Sequence, residues 1–437
     1  MTTLEVNEAL SAGNARDPGV LPKLDALSGE SIVFAHSFGL DALPDEPGII
    51  IVRGARQYGK STWLQRMIRA TVDEYGPGSA FYLNGDEIRD QHRLSEEIRA
   101  LLPLYRADAA VRRLFVDEIT SIPEWERTLK ILADQGELRR VLVVTTGSHA
   151  SDLRHGAERL PGRKGRLGRT SFVFTPIPFP EFRRAARDRL AADETVPAYL
   201  LSGGSPIACA ELIREGRLPD FVIELVRDWV YGAFARSGRS RSSLLGVLEC
   251  LFRFAGTPVG QSRLAREAGL ANNTVAAGYA DELADLLALG FSHPWDADRR
   301  RPNRRRPCKY HFTNTLVASA WHPLHPRTPR DLLSMPADQH GAMLEWAVAQ
   351  ELFRRACIRA EETPEILPHW SSRDHEIDFV ASGSSFLEVK RGAATPLEFA
   401  WFVRTVPKAC LTVINTNRFE TDRIRGITME DFLTCAG

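Results

Sequence analysis

The sequence predicts an α/β fold: a parallel sheet with helices on both faces, then a mainly helical domain, then a smaller α/β domain. Three observations carry this expectation. Short apolar runs alternate with amphipathic stretches over the first third of the chain. A glycine-containing stretch, GARQYGKS (54–61), follows the first of those runs directly. A proline-rich segment, WHPLHPRTP (321–329), separates the helical middle from the last region.

Taken in order, residues 1–30 are polar and weakly periodic, and one frayed helix is expected there. Strands are expected at 48–53, 80–83, 114–117 and 141–145, with helices at 61–72, 96–102 and 124–135. Trp125, Leu129 and Leu132 would share one side of the last of these helices. Residues 195–320 read as mainly helical. The final region begins with a helix over 341–356, and short strands follow near 376–380, 386–389 and 410–415. The expected divisions are 1–30, 31–190, 195–320 and 330–437.

Composition bounds the function. The chain has 437 residues, with 56 Lys and Arg against 56 Asp and Glu. That balance excludes a generally basic nucleic-acid coat protein, so any basic surface must be local. Six cysteines show no C-x-x-C pair and no His at zinc-ligand spacing, and they read as buried residues in a reducing compartment. No apolar run approaches the length of a membrane span, and the N-terminus lacks a secretory pattern, so a cytoplasmic protein is expected.

GARQYGKS matches G-x-x-x-x-G-K-S/T in full. In that pattern Gly54, Ala55, Arg56, Gln57, Tyr58 and Gly59 form a loop whose backbone N–H groups face phosphates at a helix N-terminus. Lys60 would reach the β- and γ-phosphates, the Ser61 hydroxyl would hold Mg²⁺, and Thr62 is a further ATP-binding candidate. LFVDE (114–118) is an apolar strand ending in two acids. Asp117 is placed for the Mg²⁺ shell, and Glu118 to orient or deprotonate an attacking water. VLVVTTGS (141–148) ends in hydroxyls, and either Thr146 or Ser148 could sense the γ-phosphate. Arg163 could be a transition-state arginine supplied to a neighbouring subunit, or a surface residue of a basic loop. ATP, Mg²⁺ and a homo-oligomer are therefore expected.

These motifs, with TGS (146–148), LPGR (160–163) and the P-x-x-F-x-E-F run at 176–182, resemble the bacterial and archaeal AAA-type P-loop ATPases with a C-terminal DUF4143 region. The resemblance covers about 30 to about 392. Tyr58, Trp63 and Pro161 depart from it, and none is a phosphate ligand. It implies an ATPase domain (31–190), a winged-helix-like segment (195–320) and a nuclease-like fold (330–437).

The residues support parts of that reading independently. Residues 258–275 have a helix-turn-helix rhythm, with Asn272, Asn273 and Thr274 opening the second helix, where side chains could reach base edges. An ordinary helical pair would look similar. Arg299, Arg300, Arg301, Arg304, Arg305, Arg306 and Lys309 then crowd eleven residues between two expected strands. Such a cluster attracts phosphates, and DNA is the expected partner; a solvated hairpin is the plain alternative.

The last region carries HEIDFVASGSSFLEVKRG (375–392). A PD-(D/E)xK nuclease-like arrangement takes an acid from a leading helix, here Glu345, then Asp378, Glu388 and Lys390. Alternation puts Glu388 and Lys390 on one strand face. Glu345, Asp378 and Glu388 would hold a second Mg²⁺ or Mn²⁺, and Lys390 would position water. Glu376 and Arg391 are supporting candidates. The expected function is an ATP-dependent DNA-processing protein, with branched or junction DNA one attractive substrate. A nucleotide-dependent switch binding protein partners in a toxin–antitoxin or defence role, and a metal-dependent endonuclease regulated by ATP, are the alternatives.

Overall fold

A computed structural model of the chain describes residues 1–148, 166–361 and 366–435. The chain divides into two compact units, Met1–Thr175 with Cys357–Ala360, and Pro176–Ala356 with Glu361–Gly437.

The first unit is built on five parallel strands: β1 (Gly48–Arg53), β2 (Ala80–Asn84), β3 (Arg113–Asp117), β4 (Leu142–Gly147) and β5 (Ser171–Val173). Their spatial order is β2-β3-β4-β1-β5. Strands β1, β3 and β4 are buried almost throughout, as near-continuous apolar runs in a parallel sheet should be. Helix Lys60–Tyr75 follows β1. Helices Gln91–Leu101 and Trp125–Asp134 bury Leu94, Ile98, Trp125, Leu129 and Leu132 in a core shared with Ile49, Ile51, Phe81 and Val143. This is a P-loop ATPase-like fold. Each expected strand is present, and the helix expected from 96 begins five residues earlier, where Asp90 caps its first turn.

The N-terminal segment differs from the single frayed helix expected. It forms two helices, Thr3–Ala12 and Pro22–Leu27, and the first is closed by a capping box at Thr2. Asn7 explains why this segment is fixed. Its amide donates to the Tyr82 carbonyl at 2.8 Å and accepts the Tyr82 N–H at 2.8 Å. The side chain thereby takes the place of a neighbouring strand along the outer edge of β2.

The second unit begins with helices Phe179–Ala186, Ala192–Ser202, Pro206–Glu215, Asp220–Arg236 and Arg241–Arg253. Helices Gln261–Glu267 and Asn273–Asp285 follow, then an antiparallel pair, β6 (Leu289–Ser292) and β9 (Lys309–Phe312). Between these two strands lies a smaller pair, β7 (Trp295–Asp296) and β8 (Arg301–Pro302). The long helix Ala337–Ile358 leads to the C-terminal strands β10 (Trp370–Ser371), β11 (Glu376–Ile377), β12 (Phe379–Ser382), β13 (Ser385–Val389), β14 (Cys410–Ile414), β15 (Phe419–Glu420) and β16 (Ile424–Ile427). Five of them form a mixed sheet in the order β12-β13-β14-β16-β15, with β13, β14 and β16 parallel. Its core gathers Ile377, Phe386, Phe402, Leu411 and Val413.

All six cysteines are free thiols. Four are buried as expected, but Cys410 and Cys435 are exposed. No helix among the described residues is long and apolar enough to cross a membrane.

Replacing Asn7 by Ala removes both bonds to Tyr82 and leaves an N–H and a C=O at the sheet edge unpaired. The expected cost is about 2 kcal/mol of unfolding free energy, read as a lower urea midpoint with unchanged slope. An unchanged midpoint would show that Asn7 does not hold the segment to the sheet.

Candidate functional site

The loop between β1 and helix Lys60–Tyr75 wraps because its residues accept the backbone it needs. Gln57 (φ 61°) and Gly59 (φ 99°) are left-handed, and Gly59 caps the helix. A Cβ on Gly54 would stand 2.8 Å from the Phe174 Cβ and 2.9 Å from its carbonyl oxygen, so only glycine fits there. Phe174 had no signal in the sequence. It lies under the loop with His36 and Phe38, at ring distances of 4.5 and 4.7 Å. The Lys60 ammonium is buried and donates to the carbonyls of Gly54 (3.0 Å) and Ala55 (2.9 Å). Burial lowers its pKa, and the charges of Glu118 and Asp117 work against that shift.

The sheet brings the two acids to the same edge. Asp117 ends β3 and is buried, while Glu118 turns away in a left-handed conformation (φ 45°), a strain typical of functional turns. The Thr146 hydroxyl donates to the Asp117 carboxylate, and it accepts the Glu118 N–H at 3.2 Å. The Ser148 hydroxyl donates to Glu118 Oε2 at 2.9 Å. The two hydroxyls between which the sequence left a choice thus serve different carboxylates, Thr146 that of Asp117 and Ser148 that of Glu118. Burial raises the Asp117 pKa, while hydrogen bonds from Thr146 and Ser61 pull it down. Lys60, Ser61, Asp117, Glu118, Thr146 and Ser148 therefore converge, whereas Arg56 and Gln57 are exposed at the loop tip. Arg163 lies outside the described residues.

In the second unit, helices Gln261–Glu267 and Asn273–Asp285 occupy the stretch with helix-turn-helix rhythm. Asn272 is the cap of the second helix, its side-chain oxygen accepting the Val275 N–H at 2.9 Å. Asn273 and Thr274 are exposed on its first turn. Arg299, Arg300, Arg301, Arg304, Arg305 and Arg306 are exposed along the β7–β8 hairpin and its flanks.

Lys309 corrects the expectation that it joins them at a DNA surface. It is only 1% exposed and points inward. Its ammonium lies 3.3 Å from Asp378 Oδ1 and 3.5 Å from Glu345 Oε1, and it is paired more closely with Glu376. The reason is strand alternation: Lys309 and His311 share a face of β9. His311 Nδ1 lies 3.7 Å from the same Glu345 oxygen.

This cluster adjoins a cavity of about 640 Å³ lined by Glu345, His375, Asp378, Glu388, Lys390 and Trp401 among others. Lys390 Nζ meets Glu388 Oε1 at 2.6 Å, so the two do share a strand face. Asp378 N–H donates to Glu388 Oε2 (3.2 Å), and Val389 N–H donates to Asp378 Oδ2 (2.9 Å). Burial works against the Lys309 charge, but the carboxylates of Glu345, Asp378 and Glu376 outweigh it and raise its pKa. Burial, then the Asp378 charge, raises both Glu345 and Glu388. Burial and the Lys309 charge push His311 well below the usual imidazole range, so it is neutral.

Glu345, Asp378 and Glu388 are the residues expected to hold a divalent ion. Among the described residues, no group of three or more His, Cys, Asp or Glu side chains is placed to hold one. Their oxygens already face Lys309, Lys390 and two backbone N–H groups.

A five-stranded parallel sheet with a phosphate loop and paired acids at one edge defines the class of the first unit: a P-loop ATPase-like domain. Within that class, residues 46–183 match the family model of an AAA domain. No curated protein matches the chain. Among solved structures, a variant of Thermotoga maritima RuvB is 16% identical, over 56% of this chain and 81% of that one, with a TM-score of 0.31. The Aeropyrum pernix Orc1 protein in complex with DNA is 16% identical, over 72% and 91%, with a TM-score of 0.31. AMPPCP-bound DnaA from Aquifex aeolicus is 14% identical, over 56% and 84%, with a TM-score of 0.29.

The raised Glu345 carboxyl sets a pH dependence. The folded chain holds a proton that the unfolded chain has lost once pH passes the ordinary glutamate range. The associated stability is full below that range and is lost as pH rises through the raised value. Thermal melts from about pH 5 to about pH 9 should therefore show a shallower fall in Glu345→Gln than in wild type. The difference is bounded by one proton, about 1.4 kcal/mol per pH unit. Equal slopes would contradict the assignment.

Proposed function

We propose that this chain is a Mg²⁺-dependent AAA-type ATPase that acts on DNA in the cytoplasm, as a homo-oligomeric motor or switch. The observation that carries the ATPase reading is the convergence of Lys60, Ser61, Asp117, Glu118 and Ser148 at one sheet edge. The oxygen donors of Ser61 and Asp117 fit Mg²⁺, and the buried Asp117 is of a kind that a cation relieves. When bound, that ion neutralises charge on the β- and γ-phosphates. The chain's own residues do the rest. The loop N–H groups and Lys60 hold phosphate oxygens, exchanging the Gly54 and Ala55 carbonyls for the nucleotide. Glu118 orients and deprotonates the attacking water. Ser148 steadies the Glu118 carboxylate, and Thr146 fixes Asp117. Arg163, supplied in trans, is the transition-state arginine in this reading.

The DNA part is supported by the exposed arginines around β7–β8 and by Asn273 and Thr274 on the neighbouring helix start. In this reading the segment is winged-helix-like, as the AAA–DUF4143 resemblance implies. Branched or junction DNA is the substrate to test first.

Glu118→Gln should lower ATP turnover at least 100-fold while retaining nucleotide binding, a magnitude in keeping with loss of a general base. Lys60→Ala should lose binding as well. Turnover is then measured with duplex, forked, four-way and single-stranded DNA, and retardation over a salt series. Replacing Arg304, Arg305 and Arg306 by Ala should reduce the log–log salt slope by about 3. If no DNA form alters turnover and none retards the protein at low salt, the DNA reading fails while the ATPase reading stands. A stable protein partner released on hydrolysis would then favour the switch.

A further inference from the structure

The acidic pocket of the second unit raises a separate question, independent of the ATPase reading. Seven carboxylate residues line it: Asp338, Glu345, Asp374, Glu376, Asp378, Glu388 and Glu398. A nuclease-like arrangement needs a divalent ion among such groups, to bring a phosphate close to them.

We propose that Lys309 takes the place of that ion, so that the pocket is a lysine-compensated carboxylate site and not a metal site. Each of the central acids is already engaged. Asp378 presents one oxygen to Lys309 and the other to the Val389 N–H. Glu388 presents one to Lys390 and the other to the Asp378 N–H. Glu345 Oε1 faces the Lys309 ammonium at 3.5 Å and has no hydrogen-bond partner. A metal ion bridging Glu345 and Asp378 would have to sit where the ammonium already sits, and like charges would repel it at contact distance.

Lys309 is not a loose surface lysine able to swing aside. It starts β9, paired with Ser292 of β6, and the preceding Cys308 carbonyl accepts the Val259 N–H at 2.8 Å. Two residues on, His311 is wholly buried and neither ring nitrogen has a hydrogen-bond partner. Its neutral imidazole leaves Lys309 as the only cation on that strand face. The same residue therefore does two things: it offsets part of the charge of Glu345, Glu376 and Asp378, and it stands at the base of the segment that carries the six exposed arginines. It is a positioning residue, acting through the hairpin and the carboxylates.

The test counts bound Mn²⁺ by electron paramagnetic resonance on the full chain without nucleotide. Wild type and Asp378→Asn should bind equal numbers of ions, because the pocket holds none. One ion more in wild type than in Asp378→Asn overturns the proposal. Lys309→Gln should gain one Mn²⁺ over wild type, lost again in Lys309→Gln combined with Asp378→Asn. A folded Lys309→Gln protein, checked by circular dichroism, that gains no ion also overturns it. If that variant does not fold, the comparison of wild type with Asp378→Asn decides alone.

Discussion

The register of β4 between β1 and β3 is the constraint on which the nucleotide site depends. All five strands run the same way, so the segments leaving β1, β3 and β4 emerge at one edge of the sheet. One intervening strand separates the phosphate loop from the acids by about two strand spacings, near 10 Å. Within β4 the adjacent threonines are not equivalent. Thr145 donates to the Ile50 carbonyl at 3.2 Å, whereas Thr146 serves Asp117 and Glu118. A slip of one residue that brought Gly147 to the place of Thr146 would remove the hydroxyl there. It would leave Asp117 buried without its hydroxyl and Glu118 without the acceptor that supports its left-handed turn.

The second unit meets a different demand, the burial of charge. Lys309, Glu345, Asp378 and Glu388 are all largely withdrawn from water. Such a cluster is a poor source of stability, because desolvation offsets most of the attraction. Removing one member is a different matter, since the remaining charges stay buried without compensation. That asymmetry makes Lys309 a determinant of what the pocket can be. The raised carboxyls of Glu345 and Glu388 follow first from burial and then from the neighbouring Asp378 charge.

How much of this was legible in the sequence depended on whether the signal was local. The strands of the first unit and the roles open to Lys60, Ser61, Asp117 and Glu118 follow from apolar runs ending in particular residues, all within short windows. Glu388 and Lys390 were likewise readable as a pair, because a period of two is a local property. Asn7 was not, since its partner Tyr82 is 75 residues away and a polar helix gives no hint of a sheet edge. Phe174 was hidden for the same reason. Lys309 was misread because seven basic residues in a short span look like one surface. The distinguishing signal was there: Lys309 opens the apolar alternation Lys-Tyr-His-Phe of a strand, while the arginines sit in turn sequence.

That division of cations bears on how the unit would treat a polyanion. The chain as a whole is neutral, and within the second unit the arginine segment is a local concentration of positive charge. Arg300 reaches the turn between β12 and β13, where its Nη2 lies 3.4 Å from the place a Cβ of Gly383 would occupy. The hairpin's positive charge thus borders the very sheet that carries the acids. With Lys309 as the resident cation proposed above, the remaining carboxylates that line the pocket would repel a phosphate that the arginines attract. A strand held on the arginine face would be kept out of the pocket. In the lysine-compensated reading proposed above, Asp378, Glu388 and Lys390 hold the architecture of the C-terminal sheet beside the arginine segment.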